Sequence, residues 1–320
     1  MRVLAASGDE DIATVYVAET DEGKLIEFAE SVQPPLPREK KWVLTLSTLY
    51  GCPIGCRLCD AGGHYQGKLS AKDLFSQSDY LIGRRYENGR VPVQKFKVQF
   101  ARMGEPTLNS NVLDVLQEFP ARYDAPGLLP SLSTIAPEGT DKFFERLLQL
   151  KNSLFRERFQ LQFSIHTTDR KKRDWLIPAK KWDFERIGEY GEEFYNGGGR
   201  KITLNFALAD GMPVCPEVLL RHFTPTKFLL KITPVNPTYQ ASRNKVISYV
   251  VPDREDYENI EILKEAGYEV VLSVGEMAEN YIGSNCGQHL TNYLRTEKSV
   301  KDGYTFPLTR LDDPTLSTTC

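Results

Sequence analysis

"YGCPIGCRLCDAGGHY", residues 50–65, places three of the chain's six cysteines within eight residues, spaced C-x3-C-x2-C. Three thiolates on one tight loop can hold zinc or an iron–sulfur centre. A structural zinc takes four ligands, and His64 would complete the set as C-x3-C-x2-C-x4-H. A 4Fe–4S cluster held by three cysteines instead leaves one iron open to a ligand. Asp60, Ala61, Gly62 and Gly63 follow, a stretch where backbone can approach a bound molecule closely. Spacing alone leaves both readings open.

The segments around this loop set the fold class. Upstream, "IATVYVAE" and "KLIEFAE" flank "TDEG" and read as a β-hairpin, "QPPLPREKK" is a proline-rich connector, and Trp42 to Leu46 is a strand leading to Cys52. Downstream, strand-like and helix-like segments alternate. "KFKVQFA" (95–101) precedes an amphipathic stretch from Asn111 to Phe119, and "SLSTI" (131–135) precedes a helix sharing Phe143, Phe144, Leu147 and Leu148 on one face. "FQLQFSIH" (159–166) is followed by a helix over Trp182–Tyr195, and then come "KITLNFALA" (201–209) and "KFLLKIT" (227–233). Asp253 caps a helix that Gly267 stops, and "EVVLSV" (269–274) closes the series. The pattern predicts an α/β fold, a partial (βα)6 barrel with a small N-terminal β-hairpin, short of the eight strands of a closed barrel. Residues 1–41 form the hairpin and connector, 42–290 the barrel core and 291–320 a C-terminal tail.

Bulk properties narrow the function classes. Of 320 residues, 41% are hydrophobic and 26% charged, which suits a well-packed core and excludes a disordered or collagen-like chain. No apolar run reaches membrane-spanning length and the N-terminus lacks a signal-peptide pattern, so a soluble, cytoplasmic protein is expected. A net charge of −3 and a pI of about 5.9 argue against strong non-specific nucleic-acid binding. Three basic clusters read as solvated faces: Arg38, Lys40 and Lys41; Lys171, Lys172 and Arg173; Lys180 and Lys181. Six cysteines make no disulfide framework and point instead to metal binding or chemistry.

In βα sheets, chemistry gathers where loops leave the C-terminal ends of strands. There the chain carries the cysteines, then "RMGEPTLN" (102–109), "LST" (132–134), "SIH" (164–166), "PVNP" (234–237) and "NCGQHL" (285–290). A C-x3-C-x2-C loop after the first strand of such a barrel resembles the radical S-adenosylmethionine (SAM) enzymes, although the third cysteine here follows Leu58 rather than an aromatic residue. The five later motifs, in order, resemble the RlmN/Cfr-type adenine-C2/C8 RNA methyltransferases from about Gly23 to Leu290.

The resemblance implies a set of roles. Cys52, Cys56 and Cys59 would ligate a 4Fe–4S cluster, Gly104 and Glu105 would hold the SAM amino group, and Ser133, Ser164, His166 and Asn236 would contact its carboxylate, ribose or adenine. Cys286 would accept a methyl group from SAM and carry it to an sp2 carbon of the substrate, while Glu27 would act on a proton when the adduct resolves. The family's second cysteine falls at Thr45, and a threonine hydroxyl cannot take over disulfide exchange. Cys215, on a loop at a strand mouth, and Cys320 are the thiols left to replace it. The family carries a helical RNA-binding domain before its hairpin; with about 22 residues ahead of the hairpin turn, that domain is expected to be absent here.

The combined expectation is a radical SAM C-methyltransferase acting on a small molecule or peptide, served by a flavodoxin- or ferredoxin-type electron donor. Three rivals stay open. One is direct hydrogen abstraction from the substrate, another is the RNA reaction with a relocated thiol, and the third is a zinc-bound binding module.

Overall fold

The computed structural model describes residues 1–195, 197–251, 254, 256–275, 277–284, 289–294, 303 and 305–311. The chain opens with three antiparallel strands, β1 (Arg2–Asp9), β2 (Ala13–Glu19) and β3 (Leu25–Ser31). "TDEG" turns β2 into β3 as the sequence predicts, with Thr20 N–H on the Lys24 carbonyl at 2.8 Å. β4 (Lys41–Leu46) pairs antiparallel with β3 and carries the sheet into its parallel part. β5 (Leu49–Cys52) and β6 (Gly63–Lys68) form a separate two-stranded ribbon that frames the cysteine loop.

The alternating series follows. It runs α1 (Ala71–Arg85), β7 (Lys95–Phe100), α2 (Asn111–Arg122), β8 (Leu128–Thr134), α3 (Asp141–Leu150), β9 (Gln160–Ser164), α4 (Arg170–Leu176) and α5 (Phe184–Phe194). It continues with β10 (Ile202–Ala207), α6 (Pro216–His222), β11 (Phe228–Thr233), α7 (Tyr239–Arg243), α8 (Glu258–Glu265) and β12 (Glu269–Leu272). α9 (Met277–Ile282), α10 (His289–Leu294) and β13 (Thr309–Arg310) complete the described elements. The sheet order is β12-β11-β10-β9-β8-β7-β4-β3-β2-β1-β13. From β4 to β12 it is parallel throughout, seven strands rather than the six expected.

Local chemistry explains the element boundaries. α1 begins at a capping box in which the Ser70 hydroxyl takes the Asp73 N–H at 3.1 Å while the Asp73 carboxylate reaches back to the Ser70 N–H. Asp169 and Asp183 cap α4 and α5 in the same way with one bond each. The helix expected from Asp253 starts later, at Glu258, with Tyr257 at its N-cap, and Asp253 lies outside the described residues. Among the described residues, no helix is long and apolar enough to cross a membrane.

Each parallel strand shows two different faces. Trp42, Leu44 and Leu46 of β4, Phe96, Val98 and Phe100 of β7, and Phe228, Leu230 and Ile232 of β11 are buried against the helices in one continuous core. Phe144 sits inside this core, with ring centroids of Trp182, Tyr190 and Phe163 at 4.3, 4.9 and 6.1 Å. The opposite face carries Lys41, Val43 and Thr45, then Lys95, Lys97 and Gln99 on the neighbouring strand, paired in register. Lys41 of β4 and Lys231 of β11 sense each other's charge although four strands separate them in the sheet. The sheet therefore curls around an open bore lined by this second face.

One member of each of the three basic clusters departs from the solvated face expected. Arg173 is buried, donating to the Trp182 carbonyl at 2.9 Å and standing over the Phe184 ring. The Lys181 side chain is 4% exposed and bridges Asp174. Lys41 faces the bore.

Candidate functional site

The cysteine loop leaves the ribbon at the C-terminal mouth of the bore, and other strand-end loops hold it in place. Arg57 N–H bonds the Leu176 carbonyl at 2.9 Å, and its guanidinium reaches the Trp175 carbonyl and the Asn244 side chain. Asp60 takes the backbone N–H groups of Tyr239 and Gln240 at 2.9 and 2.8 Å, so a residue of the cysteine loop caps α7. The Thr238 hydroxyl donates to the Leu58 carbonyl at 2.9 Å. An apolar cup of Ile54, Leu58, Ile135, Leu176, Ile177 and Val235 packs around the three cysteines.

Cys52, Cys56 and Cys59 are free thiols, all partly buried. Burial pushes the Cys52 thiol up to about 11, while the backbone N–H groups of Ile54 and Glu105 work in the opposite sense. Burial pushes Cys56 further, and Cys52 adds to the shift as a like charge. His64, the fourth ligand of the zinc reading, is exposed on β6. Among the described residues, no three Cys, His, Asp or Glu side chains are already drawn into a metal-holding group.

"RMGEP" follows β7 and lies directly against the cysteine ribbon. Thr48 and Leu49 N–H groups both bond the Met103 carbonyl, at 2.8 and 3.1 Å. Gly104 has φ +100, and a Cβ there would stand 2.5 Å from Leu49 Cβ, so only glycine permits the approach. Glu105 is buried and takes four donors. Its Oε1 accepts from Thr107 N–H (3.2 Å), the Thr107 hydroxyl (2.8 Å) and the Thr134 hydroxyl (2.6 Å), and Oε2 accepts Ile135 N–H (3.0 Å). The resemblance implies a SAM contact for this carboxylate; in the structure it joins the loops after β7 and β8.

The other expected contacts line the same mouth. Ser133 accepts a long bond from Gln99 Nε2 at 3.4 Å. Ser164 ends β9 in register with Asn205 of β10 and, beyond it, Lys231 of β11. His166 is buried at φ +64; its Nδ1 accepts Ala207 N–H at 3.0 Å, and burial followed by Arg173 pushes its pKa down to about 4. The ring is therefore neutral, with its proton on Nε2. Asn236 is half-buried after β11, its carbonyl accepting Thr238 N–H at 2.9 Å. Thr45 faces the bore, opposite Gln99.

Glu27 is buried on β3 with Oε1 2.7 Å from Arg102 Nε, and its Oε2 accepts Leu290 N–H at 2.8 Å. Arg102 also donates to the carbonyls of Ser284 (2.5 Å) and Gly283 (2.8 Å). Burial pushes the Glu27 carboxyl up, and Arg102 and the Leu290 N–H pull it back. This pair grips the chain immediately before and after residues 285–288. Cys286 belongs to that stretch and, like Cys320, lies outside the described residues. Cys215 sits at the N-cap of α6, where its thiol donates to Glu217 Oε2 at 2.8 Å. The sequence motifs include Arg102, Thr134 and Asp60 without giving their side chains a role; the arginine at the head of "RMGEP" is the available signal.

Comparison with known proteins bears on this arrangement. No protein-family model matches the chain. A probable dual-specificity RNA methyltransferase RlmN of Parasynechococcus marenigrum is 28% identical over 211 residues, 65% of this chain and 57% of that protein. The equivalent protein of Syntrophomonas wolfei is 26% identical over 297 residues, 88% of this chain and 80% of that one. The chain thus spans little more than half of the first relative and four-fifths of the second. The crystal structure of a radical SAM methyltransferase from Sphaerobacter thermophilus superposes with TM-score 0.63 at 21% identity, covering 90% of this chain and 81% of that one, which shows the fold.

The chain resembles the RlmN-type radical SAM methyltransferases.

Such RlmN-type enzymes use a 4Fe–4S cluster and SAM. The donor set fits the cluster: three cysteine thiols on one loop, an apolar cup, and N–H groups directed at Cys52. Partly buried thiols on one loop resist ionising together, and the iron of a bound cluster would supply the compensating positive charge.

Proposed function

We propose that the chain is a radical SAM C-methyltransferase in which Cys286 carries the methyl group to an sp2 carbon of a small-molecule or peptide substrate. The observation that supports it best is the buried Glu27–Arg102 pair, which fixes Gly283 and Ser284 on one side of residues 285–288 in the sequence and Leu290 on the other. When bound, the cluster and SAM would supply a low-potential electron, a methyl group and a 5′-deoxyadenosyl radical, with a flavodoxin- or ferredoxin-type protein as donor. Cys52, Cys56 and Cys59 would hold the cluster, and Gly104, Glu105, Ser133, Ser164, His166 and Asn236 would bind SAM. Neutral His166 would offer an Nε2–H donor. Glu27, which holds the Leu290 N–H, would orient the chain that follows the Cys286 segment and act on a proton when the adduct resolves. Thr45 supports a substrate other than RNA, because its hydroxyl faces the bore where the RNA reaction needs a thiol.

A second reading is the RNA reaction named for the relatives, with Cys215 as the replacement thiol. Product analysis separates them. Anaerobically reconstituted protein given SAM and reductant should release S-adenosylhomocysteine and 5′-deoxyadenosine. 5′-Deoxyadenosine alone would contradict methyl transfer, and methyladenosine in added RNA would establish the second reading.

A further inference from the structure

The interior of a βα barrel is ordinarily packed with layers of branched apolar side chains. The bore of this chain is different. Lys41, Lys95, Lys97, Arg200, Lys201 and Lys231 line a cavity of about 800 Å³ there. Two carboxylates share it: Glu269, taken by Lys201 at 3.4 Å, and Glu279, whose charge acts on Lys41; Lys231 and Glu279 each have a further interaction of their own. Among the described residues, no hydrogen bond or ion pair reaches the Lys97 ammonium. Burial, then the charges of Lys231, Lys41, Lys95 and Arg200, push the Lys97 pKa down to about 7. The Ser131 hydroxyl, on the same face of β8 as Ser133, is buried without a hydrogen-bond partner among the described residues. Six cations against two carboxylates leave the cavity with an excess of positive charge, centred on Lys97, that a bound anion would offset.

Lys231, Asn205 and Ser164 are aligned in one row across β11, β10 and β9, and Ser164 is one of the expected SAM contacts. A volume of about 800 Å³ lies in the usual range for small-molecule sites, roughly 300–1,000 Å³. Recognition of a polynucleotide would call for an extended basic surface instead.

We propose that this bore binds the anionic end of the substrate, a small molecule bearing a phosphate or carboxylate group, through Lys97 and Lys231. The role of the bound molecule as methyl acceptor rests on the methyltransferase reading; the anion site itself does not.

The test uses the full chain, its thermal unfolding followed at an ionic strength held constant with KCl while inorganic pyrophosphate or citrate is titrated. Lys97→Gln and Lys231→Gln are compared with the exposed control Lys142→Gln. At least one anion should raise the melting temperature of the wild type and the control, with affinity about tenfold weaker in each bore variant. Pyrophosphate alone would assign phosphate, citrate alone carboxylate, and both the shared oxyanion. Without anion, Lys97→Gln should melt no lower than wild type, because removing an uncompensated cation relieves repulsion. No rise with either anion, an equal rise in both bore variants, or a destabilised Lys97→Gln protein would overturn the proposal. Binding of a single-stranded RNA 12-mer that depends on Lys97, without any response to small anions, would overturn the small-molecule class. Anion binding that persists in a protein unable to transfer methyl groups would uphold this site and remove the methyltransferase reading.

Discussion

Arg102 and Glu27 face each other across 2.7 Å, each side chain only 1% exposed, and between them they hold both flanks of residues 285–288. Removing one partner strands a buried charge, so Arg102→Met or Glu27→Leu should cost about 3–5 kcal/mol in urea unfolding. The double variant should cost clearly less than the sum of the two. Additive losses would show that the two side chains act independently.

Glu105 is surrounded by donors alone: Thr107 twice, Thr134 and Ile135. A glutamine places an NH2 group against one of them. Glu105→Gln should therefore lose about 1–3 kcal/mol of stability, and SAM binding should weaken with it as the loops after β7 and β8 separate. Calorimetric titration with SAM beside an unfolding curve measures both, and a variant with neither loss would refute this bridging role.

Gly104 and Gly63 offer a matched comparison. Both have positive φ, +100 and +89, but a Cβ at Gly104 meets Leu49 at 2.5 Å whereas one at Gly63 meets nothing within 4 Å. Gly63→Ala should incur the conformational cost alone, about 1–3 kcal/mol. Gly104→Ala should lose more and retain less iron after reconstitution, because Leu49 lies on the strand that ends at Cys52. Equal losses and equal iron would contradict the close-approach account.

His166 makes stability depend on pH. Its folded pKa of about 4 lies below the ordinary histidine value of about 6.5, so the unfolded state binds more protons between those values. Stability is then fully present above about pH 6.5 and declines toward pH 4, by up to roughly 3 kcal/mol from this one residue. His289, also pushed down to about 4, adds a decline of the same sign. His166→Gln should flatten the stability profile over this window partially, and an unchanged slope would show that His166 titrates normally.

The fold was largely legible because strand–helix alternation is written in the local pattern. "KITLNFALA" and "KFLLKIT" fall within one or two residues of β10 and β11. The bore was hidden in the same strands. "KFKVQF" alternates cleanly, and such alternation normally assigns lysines to solvent. A parallel strand covered by helices, however, has its second face inside the barrel, so Lys95 and Lys97 pointed inward. The three cysteines were evident from spacing, while the ties to Asp60, Arg102 and Thr134 span from 29 to 182 residues and left no periodic trace. "CGQ" drew attention to Cys286 by its neighbours in sequence, whereas the grip on its flanks emerged only from the fold.

The most direct test of the methyl-carrier reading is peptide mass spectrometry after anaerobic cluster reconstitution with SAM bearing a trideuterated methyl group. The account predicts the labelled methyl on the Cys286 peptide, its absence in Cys286→Ala, and weaker labelling in Arg102→Met. Unlabelled Cys286 in a protein that still cleaves SAM to 5′-deoxyadenosine would contradict it.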